Sequence, residues 1–174
     1  MAISCSTGRR VGPSPRWSNA MTACSSQGPS SYFQPFRRWP PAERHAVRLV
    51  RGRVLDVGCG PGRVALHLQV RGHEVTAVDV SPLAVQVARA RGVSDARVLS
   101  LGQVGPVLGS FRTVILFGNN FGLLRSRVAA PRLLRRLAPI TTADARILAG
   151  SLDPYRTEQP FHRAYHAVIE REGG

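Results

Sequence analysis

"VLDVGCGPG", residues 54–62, sets an aspartate two positions ahead of three alternating glycines, at the end of an apolar run. An apolar, β-branched segment that breaks into closely spaced glycines reads as a buried strand turning sharply into a helix. Glycine at such a turn lets the backbone take positive φ and approach a ligand closely. In an open parallel sheet, ligands lie beyond the C-terminal ends of the strands, and this turn stands at such an end.

Downstream the pattern alternates. Strand "RVLDVG" (53–58) leads to helix "GRVALHLQVRG" (62–72), then strand "HEVTAVDV" (73–80) and helix "SPLAVQVARARG" (81–92). Ser81 suits the N-cap of that helix, Pro82 its first position and Gly92 its C-terminal cap. Strand "ARVLSL" (96–101), a Gly/Pro loop (102–110) and strand "FRTVILFG" (111–118) follow. A helix around 127–137, with Pro131 in its first turn, and strand "ARILAGSL" (145–152) complete the series. Five strands interleaved with helices predict an α/β fold, a doubly wound and mostly parallel sheet covered on both faces. Ahead of it, "YFQPFRRW" (32–39) gathers aromatics, and "PPAERHAVRLVRG" (40–52) reads as a short helix with Val47 and Val50 facing the core.

The 174 residues suit one domain. Residues 1–30, rich in Ser, Gly, Pro and Arg and without an acid, read as a disordered leader, and 31–174 as the domain. Neither a secretory signal nor a run of eighteen apolar residues occurs, so the expectation is a cytoplasmic protein without a membrane partner. Cys5, Cys24 and Cys59 are too few and too scattered for a disulfide framework. The formal charge is +14 and every basic residue is Arg, which excludes a lysine Schiff base and the P-loop lysine. The Arg residues are scattered, with no block longer than a pair, so a solvated surface is favoured over a nucleic-acid partner.

Charge decides what the glycine loop holds. Gly58 and Gly60 match the first two positions of the dinucleotide fingerprint, but Arg63 stands where its third glycine belongs. A pyrophosphate would be repelled by Asp56, whereas a ligand with a cationic amine would be attracted. A nicotinamide-dependent oxidoreductase is therefore the weaker reading.

The stretch "DVGCGPG" resembles motif I, D/E-x-G-x-G-x-G, of the class I S-adenosylmethionine-dependent methyltransferases, which have a Rossmann-like fold. The resemblance implies S-adenosyl-L-methionine as cofactor, with Asp56 near its amino group and Gly58, Gly60 and Gly62 passing close to it. It also implies Asp79, 23 residues after Asp56, as acceptor for the ribose hydroxyls. "FRTVILFGNNFGLL" (111–124) resembles the fourth strand and loop of a bacterial-type subgroup, which implies Gly118, Asn119 and Asn120 near the methionine end and a small-molecule methyl acceptor. Where many members carry an acid after the third strand, this chain offers Ser100 or Gln103 toward the adenine, and Arg112 replaces the acid common at the start of the fourth strand. Methyl transfer needs chiefly positioning and exclusion of water, so no catalytic base is singled out.

The family sheet normally ends in a sixth strand and an antiparallel seventh. Here the stretch from Asp153 shows no strand pattern, so the expectation is a chain truncated after the fifth strand, lacking strands 6 and 7. "ARILAGSL" would then be an open edge, available for self-association. A non-catalytic, cofactor-binding remnant is the alternative function. His162 and His166 stand four apart, which on a helix would place them on one face, but no third ligand is evident and no metal is expected. Tyr155, His162 and Tyr165 follow the fifth strand and are weighed for the acceptor side, although ordinary tail residues are the simpler account. Tyr32, Phe33, Phe36 and Trp39 read equally as a lid or as a cover for one end of the core. Cys59 reads as packing.

Overall fold

Val54, Leu55 and Val57 are all buried, yet they serve two different cores. Val54 joins Val75, Ala77, Ala96, Ile115 and Leu148 on one face of a sheet, whereas Leu55 and Val57 join Val78, Val114, Leu116, Ile147 and Ala149 on the other. Side chains alternate across a strand, so a strand covered on both faces must be apolar throughout. That is why these segments read as continuous apolar runs.

The computed structural model describes residues 3–5, 29–118, 120, 129–152 and 164–170. Its strands are β1 (Ile3–Cys5), β2 (Val54–Val57), β3 (Val75–Asp79), β4 (Asp95–Val98), β5 (Phe111–Leu116), β6 (Thr141–Leu152) and β7 (Ala164–Glu170). Its α-helices are α1 (Pro41–Ala46), α2 (Arg63–Val70), α3 (Pro82–Ala90) and α4 (Ala129–Leu137). The sheet order is β1-β7-β6-β5-β2-β3-β4. β2 to β6 are mutually parallel. Residues of α1, α2 and α3 cover the first face, and Leu133 and Leu137 of α4 cover the second. The fold is the doubly wound, Rossmann-like α/β class expected. β2 lies at its switch point, between β3 on one side and β5 on the other.

Local signals hold where they are short-range. Ser81 Oγ accepts the Ala84 N–H (3.3 Å) at the start of α3, and Val93 N–H returns to the Ala88 carbonyl (3.0 Å) past its end, a C-cap closed through Gly92. Pro41 opens α1, but the helix stops at Ala46 and continues as a 3-10 turn, Val47–Leu49, shorter than the pattern suggested.

The C-terminal expectation is corrected. A further strand, β7, follows β6 and pairs with it antiparallel from Arg146↔Glu170 to Leu152↔Ala164. The fifth parallel strand is therefore no open edge, and the basis for self-association through it falls away. β1 in turn pairs antiparallel with β7, within a leader expected to hold no strand. Neither strand carries a pattern of its own, because the backbone partner of each lies far away in sequence and β-propensity depends on that context. His166 lies in β7, so the helical spacing proposed for it and His162 does not apply, and His162 lies outside the described residues, as does Tyr155. Of the two edge strands, β1 and β4, the latter bears Asp95 and Arg97, paired at 2.6 Å, charges that discourage edge-to-edge pairing. Among the described residues no helix is long and apolar enough to cross a membrane.

Packing between α2 and α3 gives a direct test. Gly62 has φ +79°, and a Cβ there would stand 2.5 Å from Val93 Cγ2 and 3.2 Å from Ala88 Cβ. Gly72 has a similar φ of +86° with nothing within 4 Å. Gly62→Ala is expected to destabilise by roughly 2–4 kcal/mol, strain plus overpacking, and Gly72→Ala by roughly 1 kcal/mol from strain alone. Urea unfolding of both variants checks the difference.

Candidate cofactor-binding site

Three loops converge at the C-terminal ends of β2, β3 and β5. The loop after β2 carries Gly58, Gly60 and Gly62, with φ of +70°, +53° and +79°. Gly58 and Cys59 N–H groups both donate to the Val78 carbonyl (2.8 and 3.1 Å), which ties the loop to the end of β3. Asp79 completes that tie: Oδ2 accepts the Gly60 N–H (2.8 Å) and Oδ1 the Ser81 N–H (2.9 Å). The sequence-expected ribose acceptor is thus also a brace, and each oxygen keeps a lone pair for a further donor.

From the β5 side, Asn120 Nδ2 donates to the carbonyls of Val57 (3.0 Å) and Gly58 (3.1 Å). These bonds orient the amide, and they explain Gly58, where a Cβ would fall 2.2 Å from Asn120 Nδ2. Gly118 is exposed, with open space where a Cβ would stand. Asn119 lies outside the described residues. On the β4 side, Leu99 N–H donates to the Asp79 carbonyl (3.0 Å). Ser100 donates its N–H and Oγ–H to Gln103 Oε1 (2.8 and 2.9 Å), so the two weaker candidates partner one another.

Asp56 is only 2% exposed, between Ala77 of β3 and Ile115 of β5 in the sheet. Its Oδ2 has no hydrogen-bond partner among the described residues. Burial pushes its carboxyl up to about 7; the Arg63 guanidinium opposes the shift, and Asp79 and Glu43 add to it. Burial likewise raises the Cys59 thiol, helped by Asp56 and Asp79, which leaves it a neutral packing group.

Two residues were missed from the sequence as site residues. Arg63, noted there only as an absent glycine, pairs with the buried Glu43 of α1 at 2.6 Å and lies 4.4 Å over the Trp39 ring. Burial raises the Glu43 carboxyl and the Arg63 pair opposes that. One signal was legible: Glu43 is the first acid of the chain and the sole one before Asp56. The aromatics divide. Phe36 stacks on His67 (4.2 Å) and meets Trp39 edge-on, covering the core, whereas Tyr32 lies 3.7 Å from the position of a Gly60 Cβ. Phe33 lies beneath Arg91, whose Nη1 donates to the Pro61 carbonyl (2.6 Å).

The arrangement offers a buried carboxylate oxygen awaiting a donor, a second carboxylate at the next strand end, and a glycine backbone open to close approach. An unpartnered buried carboxylate is costly, and a ligand ammonium would satisfy it. The residues present fit a cofactor with a cationic amine and a vicinal diol.

The raised Asp56 carboxyl has a consequence for stability. Between the ordinary 3.8 and about 7 the folded chain keeps a proton that the unfolded chain has lost, so the native state loses stability as pH rises through that window. Asp56→Asn has no such titration. Its stability relative to wild type is expected to rise from pH 4 to pH 7 by up to about 4 kcal/mol and then level off. Urea unfolding of both proteins across pH 4–8 tests this, and a difference independent of pH refutes it.

Gly58→Ala and Asn120→Ala are expected to share one cause, loss of the amide clamp, so their effects on stability should fall short of additive by about 1 kcal/mol in a double-mutant cycle. Strict additivity would show that the two residues act separately.

Known proteins with this sequence pattern agree in kind. A magnesium-protoporphyrin O-methyltransferase of Rhodobacter capsulatus is 39% identical over 67 residues, 36% of this chain and 30% of that protein. A putative methyltransferase of Geobacillus sp. is 26% identical over 124 residues, 69% of this chain and 50% of that protein. The chain thus spans between 30% and 50% of the length of these curated relatives. The crystal structure of a SAM-dependent methyltransferase from Bacteroides fragilis, in complex with S-adenosyl-L-homocysteine, superposes with a TM-score of 0.64 at 28% identity, covering 81% of this chain and 66% of that one. A family model described as a methyltransferase domain matches residues 54–142, just over half of the chain, and the chain belongs to that family.

Proposed function

We propose that this domain binds S-adenosylmethionine and directs transfer of its methyl group to a small-molecule acceptor. The observation that carries the reading is Asp56, a buried carboxylate with an unpartnered oxygen at the mouth of a glycine loop. A pyrophosphate would worsen that charge; an ammonium relieves it. The names of relatives, such as the Rhodobacter porphyrin O-methyltransferase, support an acceptor that is a small molecule.

On this reading Asp56 receives the amine, and the backbone of Gly58, Gly60 and Gly62 lies against the cofactor. Asp79 holds the ribose hydroxyls. Val80, 69% exposed immediately after Asp79, and Ser100 beyond β4 flank the adenine side. Gly118 and Asn120 border the reacting end, and Tyr32 covers the loop and excludes water. The bound cofactor supplies a methyl carbon activated by a sulfonium, whose departure as a thioether needs no proton. The contribution of the protein is accordingly orientation of the acceptor and a dry cleft, worth most when reacting atoms are held in line.

Thermal unfolding with S-adenosylmethionine, and with NADH as control, tests the reading. A ligand at a hundred times its dissociation constant adds about 2.7 kcal/mol to the folded state. An upward shift is expected with S-adenosylmethionine alone, and Asp79→Ala is expected to abolish it. A shift with NADH alone would favour the oxidoreductase reading, and unchanged affinity in Asp79→Ala would remove that residue from the site.

A further inference from the structure

Arg63 and Glu43 form an ion pair to which the proposed function assigns no role. Both side chains are largely buried, 15% and 8% exposed, and joined at 2.6 Å. A buried ion pair is a weak source of stability, because removing two charges from water offsets their attraction. Its position is more telling. Glu43 comes from α1 and Arg63 opens α2 directly after the glycine loop, while the guanidinium lies 4.4 Å over Trp39, itself 3% exposed. The Asp56 carboxyl takes a backbone hydrogen bond from Ala65, two residues further on in the same first turn of α2, so the pair fixes one cation in the turn that meets Asp56.

We propose that Arg63 and Glu43 are positioning residues for the cofactor amine: their pair holds a guanidinium beside Asp56 so that this carboxyl meets the amine as an anion, while Glu43 offsets the guanidinium charge that would repel it. The proposal rests on the S-adenosylmethionine reading. The groups facing Asp56 are few. Arg63 and the Ala65 backbone N–H, both of α2, favour its ionised form, and Asp79 of β3 and Glu43 of α1 oppose it. The Cys59 thiol of the loop is neutral, and the strand neighbours Ala77 and Ile115 carry no charge.

Two variants should then move the same titration in opposite directions. Arg63→Met removes the cation that favours ionised Asp56, so deprotonation requires a higher pH. Glu43→Gln removes an anion that disfavours it while keeping an acceptor for Arg63, so deprotonation occurs at a lower pH. Both effects appear in the pH dependence of ligand affinity. The ligand amine sets a separate alkaline limit, at the higher pH where it loses its own proton, since the neighbouring ligand carboxylate holds its pKa above that of a peptide α-amino group.

The experiment is calorimetric titration with S-adenosylhomocysteine, which retains the amine, from pH 5 to pH 9.5. In the wild type, affinity is expected to rise with pH as Asp56 ionises and to fall again as the amine loses its proton. In Arg63→Met the acid limb is expected to move up by about one pH unit, weakening affinity about tenfold on that limb, with the alkaline limb unmoved. In Glu43→Gln the acid limb is expected to move down. Arg63→Met leaves Glu43 buried without its partner, so Glu43→Leu/Arg63→Met, which leaves neither charge stranded, is the companion variant; its acid limb should move up less. Acid limbs unchanged from wild type, or affinity lowered equally at every pH, would show that the pair is merely structural and overturn the proposal. A wild-type protein that binds no S-adenosylhomocysteine at any pH overturns the cofactor reading itself, and this inference with it.

Discussion

Burying a carboxyl group at the end of an interior strand imposes conditions on everything around it. Asp56 is 2% exposed and has apolar neighbours on both adjacent strands, where an ionised carboxylate costs several kcal/mol unless charge or hydrogen bonds compensate. The chain answers with Arg63 from the next helix, which in turn requires Glu43 from a helix that precedes the sheet and the face of Trp39 beneath its guanidinium. One oxygen remains without a partner among the described residues. An amine is the chemistry that would relieve that cost.

The same constraint explains the glycines. A turn that brings backbone from β2 to α2 around Asp56 passes neighbours at close range at two of its glycines, Asn120 at Gly58 and Val93 with Ala88 at Gly62, while Tyr32 stands at ordinary contact distance from Gly60. The three glycines serve different ends. Gly62 lets α2 pack on the end of α3, Gly58 lets the loop after β5 clamp the start of the turn, and Gly60 presents its N–H to Asp79. Bracing of the loop and helix packing thus draw on one motif, which ties the ends of β2, β3 and β5 together.

Much of the fold was legible because its signals are local. The alternation of apolar runs with capped helices, Ser81 and Gly92 above all, sets the order of β2 through α3 within a few residues of where they occur. The two carboxylates at the strand ends follow from their place after those runs. What escaped was held by distant partners. β7 has little to mark it except the backbone of β6, and β1 little except the backbone of β7. Arg63 looked like a defect in a fingerprint until Glu43, 20 residues earlier, was brought against it.

The residues alone therefore determined that this chain builds a parallel sheet with a glycine turn and two carboxylates at adjacent strand ends, because periodicity, caps and turn chemistry act over one or two turns of chain. Tertiary structure decided which of those carboxylates is buried and unpartnered, which cation faces it, and how the sheet is closed at its far edge. Burial, charge compensation and strand pairing depend on groups that only folding brings within a few ångströms of one another, and no spacing in the sequence records that distance.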